Sequence, residues 1–253
     1  DAKSAEQRSV ILARAAAIYC VSDYIRNRFL EGVRGDVAKV HVLYNGIDRP
    51  AAVPESSGKE NTLLFVGRII PEKGALEFVE AVRPVVERHE GWRVIMVGAK
   101  KPGLKNETDY ERQVMQSFAA LGDRGEFKGY QTYDKVVELF RRASIAVVPS
   151  LWPEPFGRTA AEALAYGCAL VCTDKGGLPE IADGRGLIVK EPTSQALGGA
   201  VLRLVEDDAL RLEFQKRAAA DFPFDIRALT AQQDDIRSAI LEHEEAAGPD
   251  CGR

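Results

Sequence analysis

Short, nearly unbroken apolar runs alternate along the chain with longer amphipathic segments. The runs at Val40–Tyr44, Thr62–Val66, Arg93–Val97, Glu126–Lys128, Ile145–Pro149, Ala169–Cys172 and Leu187–Val189 predict strands. Most do not alternate apolar with polar residues, which is the pattern of a parallel sheet covered on both faces. Between them the spacing predicts helices over Ala5–Ala16, Asp23–Leu30, Gly74–His89, Thr108–Leu121, Tyr133–Ala143, Gly157–Ala165, Ser194–Val205, Ala209–Ala219 and Ile226–His243. In the third of these, Leu76, Val79, Val82 and Val86 share one helical face. Pro84 lies inside that helix, and its missing N–H is expected to kink the helix or end its first half. The βαβα order implies a doubly wound α/β parallel sheet, with ligands outside the carboxyl ends of its strands.

One boundary is visible. Asn45-Gly46 is a turn signal, and the Pro/Ser/Gly-rich and charged stretch behind it reads as a linker. Residues 1–49 are then the end of one domain, with one predicted strand and two helices, too little for an independent core. Residues 50–60 are the linker and 61–220 a complete second domain. Residues 221–245 carry a C-terminal helix returning toward the first domain, and 246–253 are a disordered tail.

Composition narrows the class. The 253 residues are 45% hydrophobic and 28% charged, the profile of an ordinary globular protein. Lys and Arg total 34 against 38 Asp and Glu, a net charge of −4, which disfavours a general nucleic-acid binder. No stretch approaches the roughly 18 apolar residues of a membrane span. The N-terminus does not read as a signal peptide, because Asp1 and Glu6 come early and Arg14 interrupts the apolar run. It lacks an initiator Met, so a fragment or processed piece is expected. Cys20, Cys168, Cys172 and Cys251 form no Cys-x-x-Cys pair, and His41, His89 and His243 are scattered. No metal site is expected, and reduced thiols in a cytoplasmic protein are.

The chemistry concentrates at predicted strand ends. In Pro149–Gly167, PSLWPEPFGRTAAEALAYG, Pro153 and Pro155 keep the loop around Glu154 out of a helix, and a helix begins near Gly157. Glu154 then flanks the mouth of that helix and Glu162 lies on its wall, with free first-turn N–H groups between them. Such an arrangement suits a sugar nucleotide, amides and cations taking the diphosphate and carboxylates taking hydroxyls. The plainer reading makes both acids solvated surface charges. In Val66–Gly74, VGRIIPEKG, Gly67 turns the chain, Arg68 offers a planar fork and Lys73 a point charge. Together they make a pyrophosphate clamp or two ordinary surface cations. Thr173–Glu180, TDKGGLPE, permits close backbone approach at Gly176-Gly177 and equally reads as a tight turn into a helix. After the strand near Phe127, Gly129 and Tyr130 are positioned to meet a nucleobase, unless Tyr130 is simply a surface aromatic.

Some motifs are absent. There is no GxGxxG, no Walker A sequence and no Asp-x-Asp. A metal-bridged diphosphate site therefore has no obvious ligands, and no nucleophile–histidine pairing stands out.

GRIIPEKG, VVPSLWPEPFGRTAAEALAYG and TDKGGLPEI, in this order, resemble the C-terminal half of retaining GT-B glycosyltransferases of glycosyltransferase family four. VSDYIRNRFL followed by VHVLYNGID resembles the end of that family's N-terminal domain and its approach to the hinge. The resemblance covers roughly residues 18–220. It weakens in FPFDIRALTAQQDDI, where Phe224 stands in place of the family's usual Trp. It implies a Rossmann-like donor domain over 61–220 and a remnant of a second, acceptor-binding Rossmann-like domain over 1–49. It implies that Arg68 and Lys73 bind the diphosphate, Glu154 the sugar or its reacting face, and Glu162 the ribose hydroxyls. Backbone amides at Phe156 and Gly157 face the donor, and Gly67, Gly129, Tyr130 and Arg158 complete the donor-contacting set. The family usually works without a metal and needs no cofactor beyond the donor, here expected to be a UDP-linked hexose. It retains anomeric configuration through front-face departure. The acceptor would be a saccharide, lipid or small molecule, with peripheral membrane contact compatible. Most of the acceptor domain and its glycine-rich loop lie outside this chain, so transfer would require that domain or a partner chain. Two other readings stay open: a non-catalytic nucleotide-sugar-binding module, and a sugar-nucleotide epimerase.

Overall fold

The computed structural model describes residues 2–49, 58–99 and 108–247. It separates into two compact units, one of residues 1–48 with 223–253 and one of residues 49–222.

The smaller unit opens with helix α1 (Ala2–Arg14), strand β1 (Ile18–Cys20), helix α2 (Asp23–Leu30) and strand β2 (Val40–Val42). The two strands pair in parallel, and Leu12, Cys20 and Val40 form a small core between them and the helices. Ser22 caps α2, its hydroxyl accepting from Ile25 N at 3.1 Å.

The larger unit is a six-stranded sheet of β3 (Glu60–Val66), β4 (Arg93–Val97), β5 (Gly125–Phe127), β6 (Ala143–Val148), β7 (Ala169–Thr173) and β8 (Gly186–Val189). Every pairing is parallel and the spatial order is β5-β4-β3-β6-β7-β8. The chain winds outward from β3 in one direction, then returns and winds outward from β6 in the other. The expected doubly wound α/β sheet is therefore present. Its switch point, where the loops diverge and a crevice opens, lies between the carboxyl ends of β3 and β6. The central strands are buried on both faces, hence their unbroken apolar runs.

Helices α3 (Ala75–Arg88), α4 (Asp109–Ala119), α5 (Tyr133–Arg142), α6 (Arg158–Ala165), α7 (Leu178–Ala182), α8 (Ser194–Glu206) and α9 (Asp208–Ala220) make the crossovers and the cover. The C-terminal helix α10 (Ile226–Ala247) belongs to the smaller unit. Thr108 and Glu111 form a capping box at the start of α4.

Several expectations need correction. Pro84 does not end α3, which runs as one helix from Ala75 to Arg88. The ring is exposed, while Phe78, Val79, Val82, Val85 and Val86 are buried against the core. Each such burial contributes about 1.5–3 kcal/mol, so together they outweigh the roughly 3 kcal/mol cost of one interior proline. β1, of three residues, was not anticipated, while the five-residue α7, with Glu180 in its first turn, matches the tight turn into a helix offered for Thr173–Glu180. α10 continues to Ala247, so the first residues of the expected tail are helical; 248–253 lie outside the described residues. The linker expected at 50–60 falls mostly outside them too. At its end, Glu60 already starts β3, and the Lys59 ammonium donates to Phe140 O at 2.9 Å and Tyr166 O at 2.7 Å. Among the described residues no helix is long and apolar enough to cross a membrane.

Candidate functional site

The site is assembled from three loops, at the carboxyl ends of β3, β6 and β7, the second of which leads into the start of α6. After β3, the chain turns at Gly67, whose N–H donates to Val97 O at 3.0 Å. A short 3-10 turn, Pro71–Lys73, then leads into α3 through Gly74. Gly74 has φ +67, and a Cβ there would stand 2.0 Å from Pro149 O. Only glycine permits this approach of the basic turn to the loop after β6. The contact is completed by Leu151 N and Trp152 N, which donate to Glu72 O at 2.9 and 3.3 Å.

That lacing brings together side chains 81 positions apart. Lys73 Nζ lies 2.5 Å from Glu154 Oε1, and Ser150 Oγ donates to the same oxygen at 2.5 Å. Glu154 is only 9% exposed. Its loop is held from the other side by the turn after β7. Gly177 N donates to Glu154 O at 2.7 Å. Gly176, at φ +65, sits so close that a Cβ would be 2.1 Å from Glu154 O. Thr173 Oγ1 donates to Ser150 O at 2.6 Å, tying the ends of β6 and β7 together.

α6 begins beside this cluster. Its N-cap is Gly157, at φ +106, with no side-chain cap on the first-turn amides. Those amides and the helix dipole favour an anion. Arg158, exposed, donates through Nε to Glu162 Oε1 at 2.9 Å, while Glu162 is buried. Burial pushes the Glu162 carboxyl above its ordinary value, and the hydrogen bond from Arg158 opposes part of that rise.

Gly67, Lys73, Glu154, Gly157 and Arg158 converge on one cleft of about 130 Å³, with Ser150 and Thr159 also in its wall. Larger hollows of about 730 and 530 Å³ lie in the smaller unit. The remaining residues of the expected set do not line the cleft. Arg68 is exposed beside Gly67 and makes no ion pair with the described residues. The Phe156 side chain is buried. Glu162 stands behind Arg158. The Gly129 carbonyl accepts from Gly98 N at 2.8 Å, and Tyr130 is 60% exposed after β5. Ser150, Thr159 and Thr173 were not anticipated. A hydroxyl residue at a strand end carries no signal by itself; the four-residue offset from Ser150 to Glu154 is the one hint.

Chemically, the cleft offers a lysine, an arginine and uncapped helix amides for anionic oxygens. It also offers a carboxylate that can accept hydroxyl protons. The chain is 30% identical over 196 residues to an uncharacterized glycosyltransferase of Methanocaldococcus jannaschii, covering 77% of this chain and 51% of that protein. It is also 30% identical over 190 residues to the glycogen synthase of Mycobacterium tuberculosis, covering 72% of this chain and 44% of that one. The chain thus spans about half the length of the curated relatives it matches. Among solved structures, Anabaena Alr3699/HepE in complex with UDP superposes with a TM-score of 0.78 at 22% identity, covering 91% of this chain and 65% of that one. Its complex with UDP-glucose gives a TM-score of 0.76 at 22% identity, covering 93% and 68%. The fold is that of the GT-B glycosyltransferases. The family model described as glycosyl transferases group 1 matches residues 48–221, the whole six-stranded unit with its cleft, and the chain belongs to that family.

Proposed function

We propose that the cleft binds a nucleoside-diphosphate sugar, a UDP-linked hexose, and that the protein is a retaining glycosyltransferase of family four. The observation that carries this reading is the meeting of Lys73, Glu154 and the uncapped start of α6 at the sheet's switch point. The diphosphate lies across the first-turn amides near Phe156 and Gly157, with Lys73 and Arg68 as counter-charges. The Glu154 carboxylate accepts from sugar hydroxyls. Glu162 accepts from the ribose as Arg158 turns toward phosphate. Gly129 and Tyr130 flank the base.

The bond from the anomeric carbon to the phosphate oxygen breaks, and its electron pair leaves with the nucleoside diphosphate. The acceptor hydroxyl oxygen forms the new bond on the same face, and its proton passes to the departing phosphate oxygen. Charge grows on that phosphate in the transition state, where fixed cations and amides stabilise it most. In this reading they take the place of a metal. The acceptor, a saccharide, lipid or small molecule, is held by a second domain or a partner chain, with peripheral membrane contact compatible. The reading keeps the protein in the cytoplasm, in keeping with the free, buried thiols of Cys20, Cys168 and Cys172. Structures of fold neighbours holding UDP and UDP-glucose support the donor class.

Calorimetric titration of UDP against the wild type and a double variant, Arg68→Ala with Lys73→Ala, tests the clamp. Two charge-assisted contacts at about 1.5–3 kcal/mol each predict a loss of about a hundredfold or more. Equal affinity rejects the assignment. A second reading, a nucleotide-sugar-binding module that acts only with a partner chain, predicts donor binding without transfer. Sugar transfer by the 253-residue chain alone rules it out.

A further inference from the structure

We propose that Ser150 is a positioning residue for Glu154, holding its carboxylate in reading geometry once the donor has drawn Lys73 away. The inference rests on the donor reading above and names what makes that reading selective for the sugar.

Ser150 is 1% exposed and sits two residues past β6. A buried hydroxyl must find partners or lose the hydrogen bonds water gave it. Ser150 spends its single proton on Glu154 Oε1, at 2.5 Å. Its carbonyl is in turn fixed by Thr173 Oγ1 at 2.6 Å, and Thr173 is fully buried. The order Thr173 to Ser150 to Glu154 is thus a chain of contacts anchored in β7 and ending at the cleft.

The Glu154 carboxylate has two side-chain donors among the described residues, and both meet Oε1. Oε2 therefore stays available as an acceptor on a residue that lines the cleft. The two donors differ in kind. Lys73 is a flexible point charge, 25% exposed, and a diphosphate competes directly for it. Ser150 is a short neutral donor fixed in the core, for which an anionic ligand does not compete. When Lys73 moves to phosphate, Ser150 alone keeps Oε1 occupied and Oε2 turned to the sugar. Without it the carboxylate gains rotamer freedom or follows the ammonium, and the sugar hydroxyls meet no fixed acceptor.

The test separates sugar recognition from diphosphate binding. UDP, UDP-glucose, UDP-galactose and UDP-N-acetylglucosamine are titrated by calorimetry against the 253-residue wild type, Ser150→Ala and Ser150→Thr. The wild type is expected to bind at least one UDP-sugar more tightly than UDP. Ser150→Ala should hold UDP within about threefold of wild type yet lose about tenfold in the increment due to the sugar, the scale of one hydrogen bond to a charged group. Ser150→Thr, which keeps the hydroxyl, should recover most of it. A full sugar increment in Ser150→Ala overturns the proposal. So does an equal loss for UDP and UDP-sugar, or no recovery in Ser150→Thr. Should Ser150→Ala fail to fold, Thr173→Val removes the supporting hydroxyl at near-constant shape. The increment should then fall with UDP affinity kept, and an unchanged increment overturns the proposal. A wild type that binds UDP but gains nothing from any sugar also overturns it and leaves the diphosphate reading standing. A wild type that binds no UDP overturns that reading instead.

Discussion

Glu162 is a carboxylate in an apolar helix wall, buried among Ala160, Ala161, Ala163 and Leu164. Burial raises its pKa above the ordinary 4.5, so between that value and the raised one the folded chain binds more protons than the unfolded chain. Stability from this group is fully present below 4.5 and is lost as pH climbs through the raised value. Glu162→Gln cannot ionise. The melting temperature of the wild type minus that of Glu162→Gln should therefore fall from about pH 4 to pH 7, read by circular dichroism. An increase over that range contradicts the assignment of burial as the dominant cause. Gly176 makes a second prediction at this scale. Alanine there needs positive φ and places a methyl 2.1 Å from Glu154 O. Gly176→Ala should cost about 2 kcal/mol or more in urea unfolding and should weaken donor binding, because the displaced backbone carries Glu154.

At the scale of elements, α3 combines a buried apolar face with a proline whose missing N–H leaves the Glu80 carbonyl without its helical donor. Pro84 is exposed, so its replacement disturbs no packing. Pro84→Ala should raise stability by about 2 kcal/mol, the helical gain less the entropy proline withholds from the unfolded chain, measured as a shift in urea midpoint. The periodicity of α3 was legible because packing imposed it, and the proline misled because propensity is weaker than packing. Strands β3, β4, β6 and β7 were legible for a related reason, since burial on both faces leaves few polar positions. β1 was not: Ile18, Tyr19 and Cys20 are too few to show a period, and their pairing with Val40–Val42 is long-range. The Pro-bounded loop and the start of α6 were legible from local backbone rules. That Lys73 would reach Glu154 was not, because it depends on the approach of Gly74 to Pro149.

At the scale of the whole molecule, the principal core, from Leu63 to Phe214, falls entirely within the larger unit. A chain of residues 58–222 should therefore fold alone with a single cooperative thermal transition, checked by calorimetry; a broad or absent transition shows that its core is insufficient. Its two cysteines give a second check. Cys168 and Cys172 are fully buried, and burial drives both thiols up, that of Cys172 to about 12. Both should resist iodoacetamide at pH 8 in the native protein and react once it is unfolded in guanidinium, as read by mass spectrometry. The amino-acid sequence by itself determined the α/β class, the order of most elements and the strand ends at which chemistry gathers. Those properties follow from near neighbours along the chain: burial pattern, turn residues and helix starts. Only the tertiary structure decided that Lys73 meets the Glu154 oxygen that Ser150 also holds, and that Glu162 is buried. The Lys73–Glu154 pairing joins loops from separate strands, and its geometry is set by how the sheet orders those strands and how closely glycine lets the loops approach; the burial of Glu162 is set by what packs against α6.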